Sequence, residues 1–411
     1  MQNRTVPADR KLMRHMNESS LLNLVRAQAP ISRPQLAQLS GLSLATVTGI
    51  TNELIEHNLV LESGIAESTG GRKASLLEIR HDGGFAIGLK LTEYETTGVV
   101  LNLNGDIVYS EQRKVPLSNN SQNATELLAT MVQDLIKHSG IAQQKIIGIG
   151  CGLSGYVDVG LGRSIDSPIL GWQDVEISAP LQARLNIPVF LDNDVNCLTI
   201  YEMLFGQGRP YNHFLTVAIG RGVGLGIVIH GDLYRGASGG AGEFGHTPII
   251  AEGRLCECGK RGCLEAYVCE SGIVQNYLEH LHTSTYQLDL YHLDRRKQAT
   301  DMTVMEVLEK ARHGNEAALV AFRRAGTLLG MGLANLVNLL NPESILFTSY
   351  DSILGAGDLF FGPMNVAMQQ YTFSRLAAHM QFIVEPLGYE NWARGAGSLV
   401  LRQLFLPPTK A

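Results

Sequence analysis

The chain has 411 residues, 45% of them hydrophobic and 18% charged, which excludes a largely disordered protein and predicts two or three domains rather than one core. The net charge of −6 excludes a chain that is polybasic throughout, yet residues 1–80 hold 9 Lys and Arg against 7 Asp and Glu while the remainder holds 24 against 32. No apolar run approaches the roughly 20 residues that span a bilayer, and the polar start from Met1 to Arg10 lacks a secretory core, so a cytoplasmic protein without membrane insertion is expected.

The first 80 residues predict three short helices and a hairpin. Leu21, Leu22, Leu24 and Val25 suit the first helix. Ser32-Arg33-Pro34-Gln35 opens the second, with Ser32 as cap and Gln35 placed for a capping box. Ser40-Gly41-Leu42 makes a tight turn, and Ser43 caps a third helix whose apolar face is Val47, Ile50 and Leu54. Val60 to Glu62 and Leu76 to Ile79 read as strands around the loop Ser68 to Lys73. A plain three-helix interaction module would fit the helices alone. The hairpin favours a winged helix-turn-helix that reads double-stranded DNA, its third helix in the major groove. On that reading the DNA-binding candidates are Arg33, Ser43, Thr46, Thr48, Asn52, Arg72 and Lys73. Asn52 could bond adenine, the threonines could touch a thymine methyl or a phosphate, and Arg72 suits a narrow minor groove. From Ser43 to Glu56 there is no Lys or Arg, so phosphate contacts fall to Arg14, Arg33, Arg72 and Lys73.

From Phe85 onward strands and helices alternate, which predicts an α/β architecture. Strand-like runs cover 85–91, 96–103 and 106–112. A helix near 123–138 leads to the strand Ile146 to Gly150. The strand Pro188 to Leu191 ends at Asp192-Asn193-Asp194, and a helix then runs to Phe205. Strands 214–219 and 224–230 bracket a glycine-rich turn. The longest helix spans roughly 314–340 and feeds the strand Ile345 to Thr348, and the last helix starts near Arg394.

Three of the six cysteines crowd into eight residues, and His246, Cys256, Cys258 and Cys263 form His-x9-Cys-x-Cys-x4-Cys. Three thiolates and one imidazole make a closed tetrahedral shell, so a structural Zn2+ is expected rather than a catalytic one. Cys151, Cys197 and Cys269 are isolated and read as core residues. Carboxylates follow glycine-rich turns or strand ends at Asn193-Asp194, Glu243 and Glu265, where ligand sites of α/β folds form. Fixed acceptors of this kind suit sugar hydroxyls.

The stretch Gly220 to Glu265 contains Gly236-Ala237-Ser238, Ala241-Gly242-Glu243-Phe244-Gly245-His246 and Cys256-Glu257-Cys258-Gly259 through Gly262-Cys263-Leu264-Glu265. With these motifs, residues 81–405 resemble the ROK family (repressors, open reading frames and kinases), whose domain is two-lobed, actin/hexokinase-like and ribonuclease H-like. The first 80 residues are similar to the winged helix of the family's repressors. The resemblance implies a winged-helix domain at 1–80, a small lobe of 81–195 plus 393–411, and a large lobe of 196–392 carrying the zinc site and a dimerisation surface. It also implies that Asn193, Asp194, Glu243, His246 and Glu265 contact a monosaccharide in a cleft. Asp194 stands where the family's kinases keep their general base, and His246 would give one ring nitrogen to zinc and one to sugar.

Departures from the family pattern decide between its activities. Its first phosphate loop reads Asp-x-Gly-Gly-Thr, where this chain has Lys90-Leu91-Thr92-Glu93 after Gly88-Leu89. Its second reads Gly-Thr-Gly, here Gly220-Arg221-Gly222, and Thr348-Ser349-Tyr350 replaces a glycine pair. No catalytic residues, and hence no enzyme, are expected. The predicted function is a sugar-responsive repressor that binds an operator as a homodimer or a dimer of dimers. An active sugar kinase with an N-terminal extension, or a regulator controlled by a partner protein, are the alternatives.

Overall fold

Buried strands of Val, Ile and Leu need covering on both faces, and the chain supplies helices between them. The computed structural model describes residues 10–65, 75–283, 302–378 and 380–405. It divides into two compact units, one of residues up to Phe205 together with those from Tyr389, the other Gly206–Gly388.

The first unit begins with helices Arg10–Gln28, Arg33–Ser40 and Leu44–Glu56. Both predicted caps form. Ser32 and Gln35 close a capping box, Gly41 ends that helix at φ 71°, and Ser43 accepts from the Thr46 amide. Leu21, Leu22, Val25, Leu36, Val47, Ile50 and Leu54 are buried together with Val60 and Leu77 of the antiparallel strands Val60–Ile65 and Ser75–Ile79. Between those strands the loop with Arg72 and Lys73 lies outside the described residues.

The same unit then builds a five-stranded sheet in the order Val189–Asn193, Ile146–Leu153, Phe85–Leu91, Glu95–Leu101, Ile107–Lys114. The first three strands are parallel and the last two continue as an antiparallel meander. The second unit repeats this plan: Gln381–Pro386, Ser344–Ser349, Phe214–Ile219, Val223–Ile229, Asp232–Leu233. Two sheets of one topology in one chain are the mixed α/β arrangement anticipated above. A small sheet of Tyr156–Asp158, Arg163–Ser167 and Trp172–Glu176 was not anticipated, because its residues are mostly polar and half-exposed and carry no clear alternation. Helices Val304–Arg312 and Asp358–Tyr371 were likewise not anticipated.

In the second unit the helix Glu316–Leu340 packs on Asp358–Tyr371. It is long and apolar enough to cross a membrane by those two measures alone, yet 67% of its most apolar window is buried inside the structure. Cβ atoms at Gly326 and Gly330 would stand 2.2 Å from the carbonyl oxygens of Phe360 and Met364. Glycine there sets the helix spacing.

The last helix corrects the sequence expectation: it spans Tyr389–Phe405 instead of starting near Arg394. It lies directly on the first unit's sheet. A Cβ at Gly88 would meet the Ala393 carbonyl oxygen at 1.9 Å, and one at Gly150 the Ala396 oxygen at 1.8 Å. Only glycine permits that approach. Gly88→Ala should therefore lower the stability of this unit by roughly 1–3 kcal/mol, the usual penalty of overpacking. Gly49→Ala, on an open helix face with nothing within 4 Å, should leave it unchanged or raise it by up to about 1 kcal/mol. Urea unfolding followed by the fluorescence of Trp172 and Trp392, both in this unit, measures the first effect. Circular dichroism measures the second.

Candidate functional site

In the second unit, His246, Cys256, Cys258 and Cys263 converge. Their ligand atoms all lie within 4.8 Å of one another. His246 Nδ1 is 3.6 Å from Cys256 Sγ, and Cys258 Sγ is 3.7 Å from Cys263 Sγ. Two glycines make this local fold. Gly259 at φ 82° turns the chain between Cys256 and Lys260. Gly262 at φ 77° brings the backbone so close that a Cβ would sit 1.8 Å from the Ile250 oxygen. Arg254 braces the loop from below, bonding Glu279, Asn276 and the Ala266 and Gly272 carbonyls while its guanidinium stacks on Tyr267. Burial pushes the Cys256 and Cys263 thiols up, so a cation that claims this shell must displace their protons. Three sulfurs and one nitrogen at these separations fit a four-coordinate metal. Burial likewise pushes Cys151 up to about 12 and Cys269 up to about 11, and neither belongs to the cluster. They are inert core thiols.

Around that cluster, His246 Nε2 faces Glu243 Oε2 at 3.9 Å. Glu265 opens the helix Glu265–Val268. One of its oxygens accepts from the Val223 amide at 2.9 Å, and the other is 3.8 Å from Cys256 Sγ. Glycine at 222 leaves room for it, since a Cβ there would stand 2.8 Å from Glu265 Oε2. Glu265 thus ties the cysteine cluster to the turn Gly220-Arg221-Gly222. In that turn the Gly220 amide donates to the Gly222 carbonyl at 3.0 Å.

In the first unit, Asn193 caps the helix Asp194–Leu204. Its Oδ1 accepts from the Val195 and Asn196 amides at 2.9 and 3.4 Å, and its Nδ2 donates to the Gly155 carbonyl at 3.0 Å. The neighbouring Asp192 is almost wholly buried, and its Oδ1 accepts from the Asn193 amide and from Asn196 Nδ2. Asp194 Oδ1 accepts from the Val195 amide at 2.9 Å, and its Oδ2 is paired with Lys90 Nζ. Lys90 also lies over the Trp392 ring, 4.8 Å from its centroid. Motif spacing gave no hint of this pair. The usable signal was a lone lysine in the strand Phe85–Leu91, every other residue of which is apolar or glycine, because a buried ammonium requires a partner.

On the third N-terminal helix, Leu44, Ala45, Thr46, Gly49 and Asn52 are exposed. Ser43 and Thr46 bond each other at 2.8 Å, and Thr48 Oγ1 donates to the Leu44 carbonyl. Arg33 is held down: it donates to Thr51, Glu62 and Asn52 at 2.9, 2.8 and 3.1 Å. Arg14 pairs with Glu53. At the other end of the first helix, Arg26 donates to the Leu204 carbonyl and stands over the rings of Phe205 and Phe405 at 5.5 Å from each centroid.

Comparison with known proteins adds the following. The family model described as ROK family matches residues 86–403. The xylose repressor of Bacillus subtilis (strain 168) is 27% identical over 394 residues, 96% of this chain and 97% of that protein. The DNA-binding transcriptional dual regulator NagC of Escherichia coli (strain K12) is 28% identical over 347 residues, 84% of this chain and 83% of that protein. A solved ROK family transcriptional regulator, described as a homolog of the E. coli MLC protein, superposes with a TM-score of 0.81 at 22% identity, covering 96% of this chain and 97% of its own. A ROK family glucokinase from Streptomyces griseus, solved with glucose and AMPPNP, gives 0.61 at 23% identity, covering 77% of this chain and 99% of its own.

The four-ligand cluster generates a direct expectation. Metal analysis of the purified full-length chain should return one tightly held divalent ion per chain, and Cys263→Ser should remove it and lower the melting temperature. Metal affinity should fall as pH is lowered, because thiolates and imidazole must shed their protons to bind. Freshly purified protein devoid of metal would refute the assignment.

Proposed function

The chain belongs to the ROK family, and from that premise we propose that it is a transcriptional repressor of sugar-metabolism genes whose hold on DNA is released by a monosaccharide. One observation carries this reading. The glucokinase of the same family matches 77% of this chain at 99% of its own length, whereas the transcriptional regulator matches 96%. The family model itself begins only at residue 86. The capped helix pair and the strands that follow it lie ahead of that start. A helix with an exposed, side-chain-poor face, preceded by a second helix and followed by a hairpin, suits a winged helix entering a major groove.

Residues 1–80 are the proposed DNA-reading domain. Ser43, Thr46, Thr48 and Asn52 lie on or beside the exposed face, and Arg72 and Lys73 are proposed as DNA contacts from the sequence between the strands Val60–Ile65 and Ser75–Ile79. Arg33 supports the interface by fixing Asn52 and the strand residue Glu62. The operator is bound by a homodimer or a dimer of dimers, since two-fold readers match two-fold half-sites. The metal is Zn2+, which a closed shell of three thiolates and one imidazole suits, and its role is structural. The protein acts in the cytoplasm, where its operator is.

The sugar-contacting residues are Asn193, Asp194, Glu243, His246 and Glu265. Asn193 caps the helix that Asp194 opens, and its Nδ2, which gives one hydrogen to the Gly155 carbonyl, has a second to offer a sugar hydroxyl. Sugar binding shifts the DNA-reading domain, and Arg26 provides a physical link for that shift. The helix that begins at Asp194 ends at Leu204, whose carbonyl takes Arg26 of the first N-terminal helix.

Phosphoryl transfer is not proposed. A phosphate cradle works through backbone N–H groups aimed at the ligand. In the turn 220–222 the Gly220 amide is used by Gly222, and the amide that follows the turn, of Val223, is used by the anionic Glu265. The Tyr350 ring covers Gly220 so closely that a Cβ there would lie 2.7 Å from it.

Three measurements test the reading. Fluorescence anisotropy with operator fragments selected from a random-sequence pool should show binding that disappears when residues 1–80 are deleted and weakens steeply as salt rises. The effector monosaccharide should lower operator affinity by roughly 5–150-fold, and Asp194→Ala should reduce sugar affinity by about 1.5–3 kcal/mol. Operator binding that survives the deletion would refute the domain assignment. A coupled assay with ATP, magnesium and the same sugar should show no turnover, and rates of about 1–100 per second would make the chain a kinase instead.

A further inference from the structure

Lys90 is a charged side chain in a strand that is otherwise closed to polar groups. The residues of Phe85–Leu91 are all buried, and Lys90 is the single ionisable one among them. Side chains alternate along a strand, so Lys90 leaves the sheet on the same face as Gly88. That face is where the helix Tyr389–Phe405 rests, with the Ala393 carbonyl oxygen against Gly88. Two residues further along the strand and one residue back along the helix, Lys90 meets Trp392. Its ammonium is therefore steered to Asp194 Oδ2. About a tenth of each side chain, 11% of Lys90 and 10% of Asp194, remains exposed.

The hydrogen-bond inventory of this pair is incomplete in a specific way. An ammonium carries three donors and a carboxylate about four acceptor positions. Lys90 gives one donor to Asp194 and turns toward the π face of Trp392. Asp194 accepts from Lys90 and from the Val195 amide. At the exposed edge the pair retains a cationic donor beside an anionic acceptor, with no net charge. That arrangement complements one hydroxyl group, which must both donate and accept.

We infer that Lys90 is a specificity-determining residue of the sugar site: one ligand hydroxyl donates to Asp194 and accepts from Lys90. This rests on the reading of Asp194 as a sugar-contacting residue. The electroneutral pair suits a neutral sugar, and one hydroxyl position carries the recognition. A site that hydrogen-bonds a hydroxyl from both sides rejects the analogue lacking it, because two buried charged groups are then left underused.

The test uses the full-length chain and isothermal titration calorimetry with D-xylose, D-glucose and N-acetyl-D-glucosamine, then the monodeoxy forms of the sugar that binds most tightly. For the wild type, one deoxy position should cost far more affinity than the others. Lys90→Met should weaken the parent sugar by about 10- to 100-fold, the range of a hydrogen bond to a charged group. It should also erase most of the penalty at that one position and leave the other positions as they were, whereas Lys90→Arg should keep the penalty. A residue that merely holds the fold would move all positions alike. Thermal unfolding establishes that each variant is folded. If Lys90→Met is not, the same comparison is made between Asp194→Asn and the double variant Lys90→Met/Asp194→Asn, which leaves no unpaired buried charge. A folded Lys90→Met chain with wild-type affinity, or with deoxy penalties that shrink uniformly, overturns the inference and leaves the sugar reading standing. A wild-type chain that binds none of the three sugars overturns both.

Discussion

The seating of the helix Tyr389–Phe405 on the sheet of the first unit is the contact from which most of that unit's chemistry follows. Gly88 and Gly150 on adjacent strands let two helix carbonyls descend to the sheet surface, and Gly395 lets the helix approach the backbone of Cys197 and Leu198. An alanine at any of these positions would occupy the gap. Because the helix is held at that height, Trp392 reaches Lys90, Phe405 reaches Arg26, and Arg394 donates to the Gly105 carbonyl while stacking on Tyr201. None of these contacts is local in sequence. All depend on one helix being able to lie flat.

Carboxylates in both units are fixed by the same device. Asp194 and Glu265 each open a helix and each accept a backbone amide, from Val195 and Val223 respectively. Negative charge at a helix start is favourable, and a backbone donor holds the carboxylate more firmly than a mobile side chain can. What differs is the second partner. Asp194 has a lysine, so its pair is neutral. Glu265 has the neighbouring Cys256, so its environment is tied to whatever that thiol binds.

How much of this was legible in the sequence follows from the range of the interactions. Caps are local, so the box at Ser32, the cap at Ser43 and the turn at Gly41 could be read and are present. The metal cluster could be read because its donors lie within eighteen residues and its turns carry glycine. The two five-stranded sheets were legible as strand–helix alternation, but their identical strand order was not, since register between distant strands leaves no local trace. The polar sheet at 156–176 was missed because β-propensity gives little signal where one face is not buried. In the sequence Lys90 stands out only as a departure from the family's first phosphate loop. A buried lysine should have prompted a search for its carboxylate, and Asp194 had already been singled out 104 residues away.

The first unit is assembled from two stretches of chain separated by all of Gly206–Gly388. During synthesis the ribosome delivers the sheet, then the whole second unit, and only then the helix that covers the sheet. At the usual 5–20 residues per second that interval lasts roughly 10–40 s. For its duration Gly88 and Gly150 lack the helix that rests on them, Lys90 lacks Trp392, and Arg26 lacks Phe405. The second unit is continuous and can close as it emerges. The first, which carries the N-terminal helices, is finished last, so a nascent chain that already has its cysteine cluster does not yet have a completed first unit.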